Sequence, residues 1–211
     1  EVRYFFIPPF VVRCPSDVYC KPARKIAYMA YRRFGGGCAE RMHTMGSLDT
    51  MGLLGNSFIE LAQHQPIEKI SVSDIVAASG KNRKTFYYHF ESKEHLIRWV
   101  FRRDLADVLK SNVADDDLLF EPEGDDSFPS LPYYVHKKVG VRSLDGSVFF
   151  DMLAECFQYR RSYYAKTLRI SGPDSLQAYL YRLYVPAMAA DIRFILSNRY
   201  LSEGNVRFLS E

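Results

Sequence analysis

From about residue 45 onward, apolar side chains recur mainly at helical spacing. Leu54, Phe58, Leu61 and Ala62 lie three or four positions apart, which predicts a helix from about Asp49 to Gln65 that Pro66 ends. A shorter pattern opens at Ser71, where Ile75 and Val76 face inward. Its Ser71 and Asp74 have capping-box spacing, the hydroxyl accepting from the Asp74 amide while the carboxylate reaches back. Gly80 supplies the positive φ of a tight helix exit, so two short helices can cross steeply. On the helix from Asn82 to Phe90, a 100° step per residue puts Phe86 and Phe90 on one side. Lys84 and Tyr88 fall opposite, with Thr85 and Tyr87 on the flanks. Ser92 can cap a third, longer helix whose stripe is Leu96, Ile97, Val100, Phe101, Leu105, Val108 and Leu109.

Periodicity then lapses between Ala114 and about Tyr134, an acidic stretch with proline, which predicts a mobile linker. Helical spacing returns with Val148, Phe149, Met152, Leu153, Cys156 and Phe157, and continues in Tyr163, Tyr164 and Leu168 after a break near Arg160. Ser171-Gly172-Pro173-Asp174 reads as a stop and a new start. A further helix carries Leu176, Leu180, Leu183, Met188, Ile192 and Ile195, with Pro186 breaking or kinking it, and a last helix begins near Asn205. The fold class expected is all-α.

Residues 1–45 differ from the rest. Pro8-Pro9, Pro15, Pro22 and Gly35-Gly36-Gly37 interrupt each apolar period, and eight Lys or Arg face three acids, which predicts a poorly ordered basic extension. Such an arm can follow DNA phosphates, but Met42, Met45 and Met51 lie just ahead of the stretch that begins at Gly55, so upstream sequence without a role is the favoured reading. The net charge of +3 changes little; its distribution changes more. Lys81 to Arg103 holds seven Lys or Arg against two Glu, and Asp104 to Asp126 holds nine acids against Lys110 alone. A basic face followed by an acidic segment suits one side against nucleic acid and another held off it.

The candidate chemistry is mostly exclusion. Cys14, Cys20, Cys38 and Cys156 form no Cys-x-x-Cys pair, so reduced thiols in a cytoplasmic protein are expected. Cys14, Cys20, Cys38 and His43 are too irregular for a zinc site, and Asp115-Asp116-Asp117 lacks the turn Gly and later Glu of a calcium loop. No metal or cofactor is expected. No apolar run reaches the roughly 18 to 20 residues of a membrane span. There is no dinucleotide or phosphate-binding glycine motif and no nucleophile with a base beside it, so catalysis is not expected.

Two short helices meeting at Ser79-Gly80 have the layout of a helix-turn-helix, whose second helix enters a major groove. The ordered string Thr85-Phe86-Tyr87-Tyr88-His89-Phe90-Glu91-Ser92-Lys93-Glu94, preceded by Ile70-Ser71-Val72-Ser73-Asp74-Ile75, closely resembles the DNA-binding domain of the tetracycline-repressor (TetR/AcrR) family. The resemblance covers roughly Gly55 to Arg103, and Asn82 to Phe90 is most similar to regulators associated with dihydroxyacetone kinase operons. It implies a three-helix head at 46–103 and a helical ligand-sensing and dimer-forming body at 104–211. It also implies that Arg83, Lys84 and Thr85 face base edges, with Tyr87, Tyr88, His89 and Lys93 mainly on phosphates and Ser71 and Ser73 adding to them. Lys81 stands where the family usually has an apolar residue and Lys84 where it often has a small one. Lys81 therefore extends the basic face at the cost of a packing contact.

Further implications concern the body. Phe149, Phe157, Tyr163, Tyr164 and Tyr179, with Tyr159 and Tyr181, are candidates to line the cavity of an unidentified small-molecule effector, or to be ordinary packing residues. Family members usually finish with two long helices that pair with a partner subunit, and here the second is short, as in a truncated chain. The function implied is a ligand-responsive repressor, a homodimer on a palindromic operator. The competing reading is a helical interaction or small-molecule-binding adaptor without DNA binding.

Overall fold

The computed structural model describes residues 47–124, 127–141, 143–196 and 202–211. The expected basic extension at 1–45, the Cys14, Cys20, Cys38 and His43 reading and Asp125-Asp126 lie outside them.

Helix α1 (Ser47–His64) turns Leu54, Phe58, Ile59 and Ala62 inward, as its spacing requires. Leu61 is half-buried at the edge of that face. Gly55 lets α4 (Lys93–Asn112) come close, because a Cβ there would lie 2.9 Å from Trp99 Cζ3 and 3.2 Å from Val100 Cγ2. Between them a 3₁₀ turn (Ile67–Lys69) leads into α2 (Val72–Ser79) and α3 (Arg83–His89). Ile75, Val76, Phe86 and Phe90 close the interior of this group against Leu96 and Trp99.

The all-α expectation needs correcting. After α4 and a 3₁₀ turn (Asp115–Asp117), β1 (Leu118–Phe120) pairs antiparallel with β2 (Pro132–Val135), placing Leu118 opposite Val135 and Leu119 opposite Tyr134. A second small hairpin joins β3 (Lys138–Gly140) to β4 (Ser143–Leu144). The stretch at 114–134 is therefore no free linker. Leu118, Phe128 and Tyr134 are buried, and a short alternating pattern flanked by acids supplies the apolar face the acids had obscured.

The body continues with α5 (Ser147–Tyr159), α6 (Arg161–Thr167), α7 (Leu176–Ile195) and α8 (Glu203–Ser210). Arg160, at φ −127° and ψ 48°, makes the expected break. Pro186 lies inside α7 without ending it. The buried face of α7 is Leu176, Tyr179, Tyr184 and Ala187, and Ile195 is exposed. Ala189 completes that face, and the expected Leu180, Leu183, Met188 and Ile192 are half-buried beside it.

Two buried polar nodes tie α4 to these elements. Arg102, with no exposed surface, pairs with Glu121, donates to Tyr179 Oη at 2.9 Å and to Leu131 O at 2.6 Å, and lies over the rings of Phe128 and Tyr133. Burial works against its charge, but Tyr179 and Glu121 outweigh it and hold the pKa above the ordinary guanidinium value. Asp104 accepts from Arg160 Nε at 2.8 Å, Tyr164 Oη at 2.9 Å and Arg103 Nη2 at 3.0 Å. Burial, then the Asp104 charge, pushes the Tyr164 phenol far up.

The aromatic residues that are candidates either to line an effector cavity or to be ordinary packing residues lie close to one another and to these nodes. Phe149 lies 4.4 Å from Tyr134 between ring centroids, Phe157 stacks on Phe101 at 5.8 Å, and Tyr163 meets Phe58 edge-on at 6.1 Å. Tyr164 and Tyr179 spend their hydroxyls on Asp104 and Arg102. Of the two further aromatics, Tyr159 and Tyr181 are exposed. Cys156 sits inside the same packing, and burial pushes its thiol up to about 12.

Candidate nucleic-acid interface

The start of α2 is fixed by its own first turn. Ser71 N–H donates to Asp74 Oδ2 at 2.8 Å, and Asp74 N–H donates to Ser71 Oγ at 3.3 Å, so both halves of the capping box form. The Ser71 backbone amide, then its hydroxyl, holds the Asp74 carboxyl below its ordinary range. Gly80 takes φ 65° and ψ 19°, and the Lys81 amide turns back to Val76 O at 3.0 Å. Asn82 is the cap of α3 rather than its first residue: its Oδ1 accepts from Thr85 N–H at 2.8 Å and Thr85 Oγ1 at 3.1 Å.

A seven-residue helix is too short to hold itself, and here one side anchors it. Phe86 and Phe90 are buried with ring centroids 5.7 Å apart, and Phe90 meets Trp99 at 5.7 Å. The opposite side carries Lys84, exposed, and Tyr88 at 82% exposure, with Tyr87 on a flank at 56% and Arg83 exposed in the first turn. Lys81, Thr85 and His89 are half-buried at its margins. Burial lowers the His89 pKa and so disfavours the charged ring. The Arg83 guanidinium donates to Ser73 Oγ, which aims it along the crossing of α2 and α3.

Lys93 differs from expectation. Its ammonium donates to Ile67 O and Ile70 O, each at 3.0 Å, and so fastens the turn between α1 and α2 to the start of α4. Ser92 caps that helix by accepting from His95 N–H at 3.1 Å. The structure thus brings Ser73, Arg83, Lys84, Tyr87 and Tyr88 to one outward region, leaves Ser71 in its cap, and turns Lys93 inward. Sequence spacing had given no sign of the Lys93 contacts, whereas the Asn-x-x-Thr spacing was a visible signal for the α3 cap. Among the described residues, no group of three or more His, Cys, Asp or Glu could hold a metal, and no helix is long and apolar enough to cross a membrane.

Residues 59–100 match the family model for bacterial regulatory proteins of the tetR family. A stretch of 66 residues is 35% identical to the HTH-type dhaKLM operon transcriptional activator DhaS of Lactococcus lactis subsp. lactis (strain IL1403), covering 31% of this chain. The match spans 35% of that protein's length, about a third of the relative.

Proposed function

We propose, from a helix-turn-helix of the tetR-regulator type as the premise, that this chain is a sequence-specific DNA-binding transcriptional regulator. The observation that carries this reading is α3. Its apolar side is locked to Trp99 and its partners, so the cationic and phenolic side is presented as a rigid surface. Arg83 and Lys84 read guanine edges, and the Thr85 methyl meets thymine. Tyr87, Tyr88 and His89, with Ser71 and Ser73, hold phosphates, and Lys81 widens the positive field. Lys93 acts on DNA through the turn it fastens, keeping the head at residues 46–103 in register.

The protein acts as a homodimer on a palindromic operator, because a single seven-residue helix reads too few base pairs to define a promoter. Repression by occupying the promoter is the mode proposed. The L. lactis relative is named an activator, so a promoter fusion read with and without the protein decides the sign. The body at 104–211 makes the response depend on a small-molecule effector that changes the separation of the two heads.

Electrophoretic mobility across a salt series tests DNA binding. A regulator prefers its own upstream region to random DNA, with affinity falling steeply as salt rises. A flat salt dependence with no preference would leave the adaptor reading.

A further inference from the structure

The 3₁₀ turn that precedes the Ser71 cap forms one wall of a cleft of about 220 Å³. The opposite walls are the first turn of α4 and the connection from α6 to α7, so the cleft lies where the helix-turn-helix meets the rest of the fold. Its floor is aliphatic: Ile97 and Leu176 are buried, and Ile170 is half-buried. Its polar groups are mainly acidic. Glu68, Glu94 and Asp174 all border it, against Lys93 as the one bordering cation.

These charges are not equally available. The Lys93 ammonium is taken up by Ile67 O and Ile70 O. Asp174 meets Arg98 at 3.3 Å, while most of its side chain stays exposed. Ser175 spends its hydroxyl on Gly172 O and on capping α7. The carboxylates of Glu68 and Glu94 have no hydrogen-bond or ion-pair partner among the described residues. An apolar floor under two unpaired carboxylates is complementary to a short hydrocarbon ending in a cation. The interior aromatic residues are already committed to packing and to Arg102 and Asp104, so this cleft is the better seat for an effector.

We propose that this cleft binds a small amphipathic amine, its alkyl part on Ile97, Ile170 and Leu176 and its ammonium between Glu68 and Glu94. The volume is below the ~300 Å³ at which drug-sized sites begin, which limits the ligand to a compact one. The inference rests on the reading that the chain is an effector-responsive regulator, and it names the effector's class and place. The occupied wall is continuous with the Lys93-bound turn and the Ser71 cap. An ammonium there also repels the Lys93 ammonium, which borders the same cleft. Filling the cleft therefore loosens the register of α2 and α3 on α4, and DNA weakens amine binding by the same factor as amine weakens DNA binding.

The test is calorimetric titration of the full chain with hexylamine, hexan-1-ol and hexanoate, three probes of one chain length and different charge. Saturable hexylamine binding is expected, with the alcohol at least about tenfold weaker and hexanoate silent, since a charge-assisted contact is worth about that factor or more. Glu68→Gln and Glu94→Gln are each expected to weaken hexylamine by about tenfold without moving DNA affinity in its absence. Equal binding of alcohol and amine, no saturable binding, or binding indifferent to both variants would overturn the proposal. The probe comparison uses the unaltered chain and survives a variant that fails to fold. Mobility shifts without amine report separately on DNA binding, so a chain that binds hexylamine but no DNA would sink the regulator reading and not the site.

Discussion

Lys93 shows how one side chain can look like a ligand contact and turn out to hold the site together. A lysine beside a helix start suggests phosphate, and the sequence offers no way to see that Ile67 O and Ile70 O lie 3.0 Å from its ammonium. The carbonyls are those of the first residue and of the C-cap of a three-residue 3₁₀ turn with no periodicity of its own. Residues set by local rules were legible by contrast: the Ser71 and Asp74 box, the left-handed Gly80 and the inward pair Phe86 and Phe90 all appear as their spacing requires. Lys93→Ala should lower the thermal midpoint measurably, because two charge-assisted bonds worth about 1.5 to 3 kcal/mol each are lost and two carbonyls lose their donor. Its effect on DNA affinity should be the same for all sequences. A variant as stable as the parent, measured by thermal melting, would mean the ammonium does not hold the turn.

The hairpin of β1 and β2 was the element least visible in the sequence. Three-residue and four-residue strands give too few alternations to compete with a run of acids and prolines, and their apolar side is set by packing against the rest of the core rather than by a local period. Glu121 is the clearest case: within an acidic stretch it reads as solvated, yet it neutralises Arg102, which has no exposed surface. Helices α1, α4 and α7 were long enough for their periods to show, although Tyr179 and Tyr184 share the buried face of α7 with Leu176, Ala187 and Ala189. If the hairpin is fastened by this pair, Glu121→Ala should cost about 3 to 5 kcal/mol by stranding a buried charge. The double change Glu121→Leu with Arg102→Met should recover most of that loss. Denaturant titration of the three variants checks it, and equal losses in the single and double changes would show that the charge is not what fastens the hairpin.

At the scale of the whole molecule, the polarity of the chain has a structural counterpart. The basic residues after Lys81 divide between the exposed face of α3 and the interior, where Arg102 and Asp104 bind α4 to the hairpin, α6 and α7. That division was half legible: the outward positions followed from a helical wheel, whereas buried ion pairs required knowing which elements meet. The helix-turn-helix and the rest of the fold are also joined directly. Helix α4 belongs to both, and Lys166 of α6 donates to Ala62 O at the end of α1 at 2.5 Å. Whether the exposed side of α3 reads base pairs is tested by fluorescence anisotropy of parent and Arg83→Ala on labelled upstream DNA and on random DNA of equal length at fixed salt. Arg83→Ala is expected to lower affinity for the upstream site by about tenfold or more, from about 1 to 3 kcal/mol per lost base contact, and to leave random DNA nearly unchanged. Equal losses on both DNAs, or no loss on either, would contradict it.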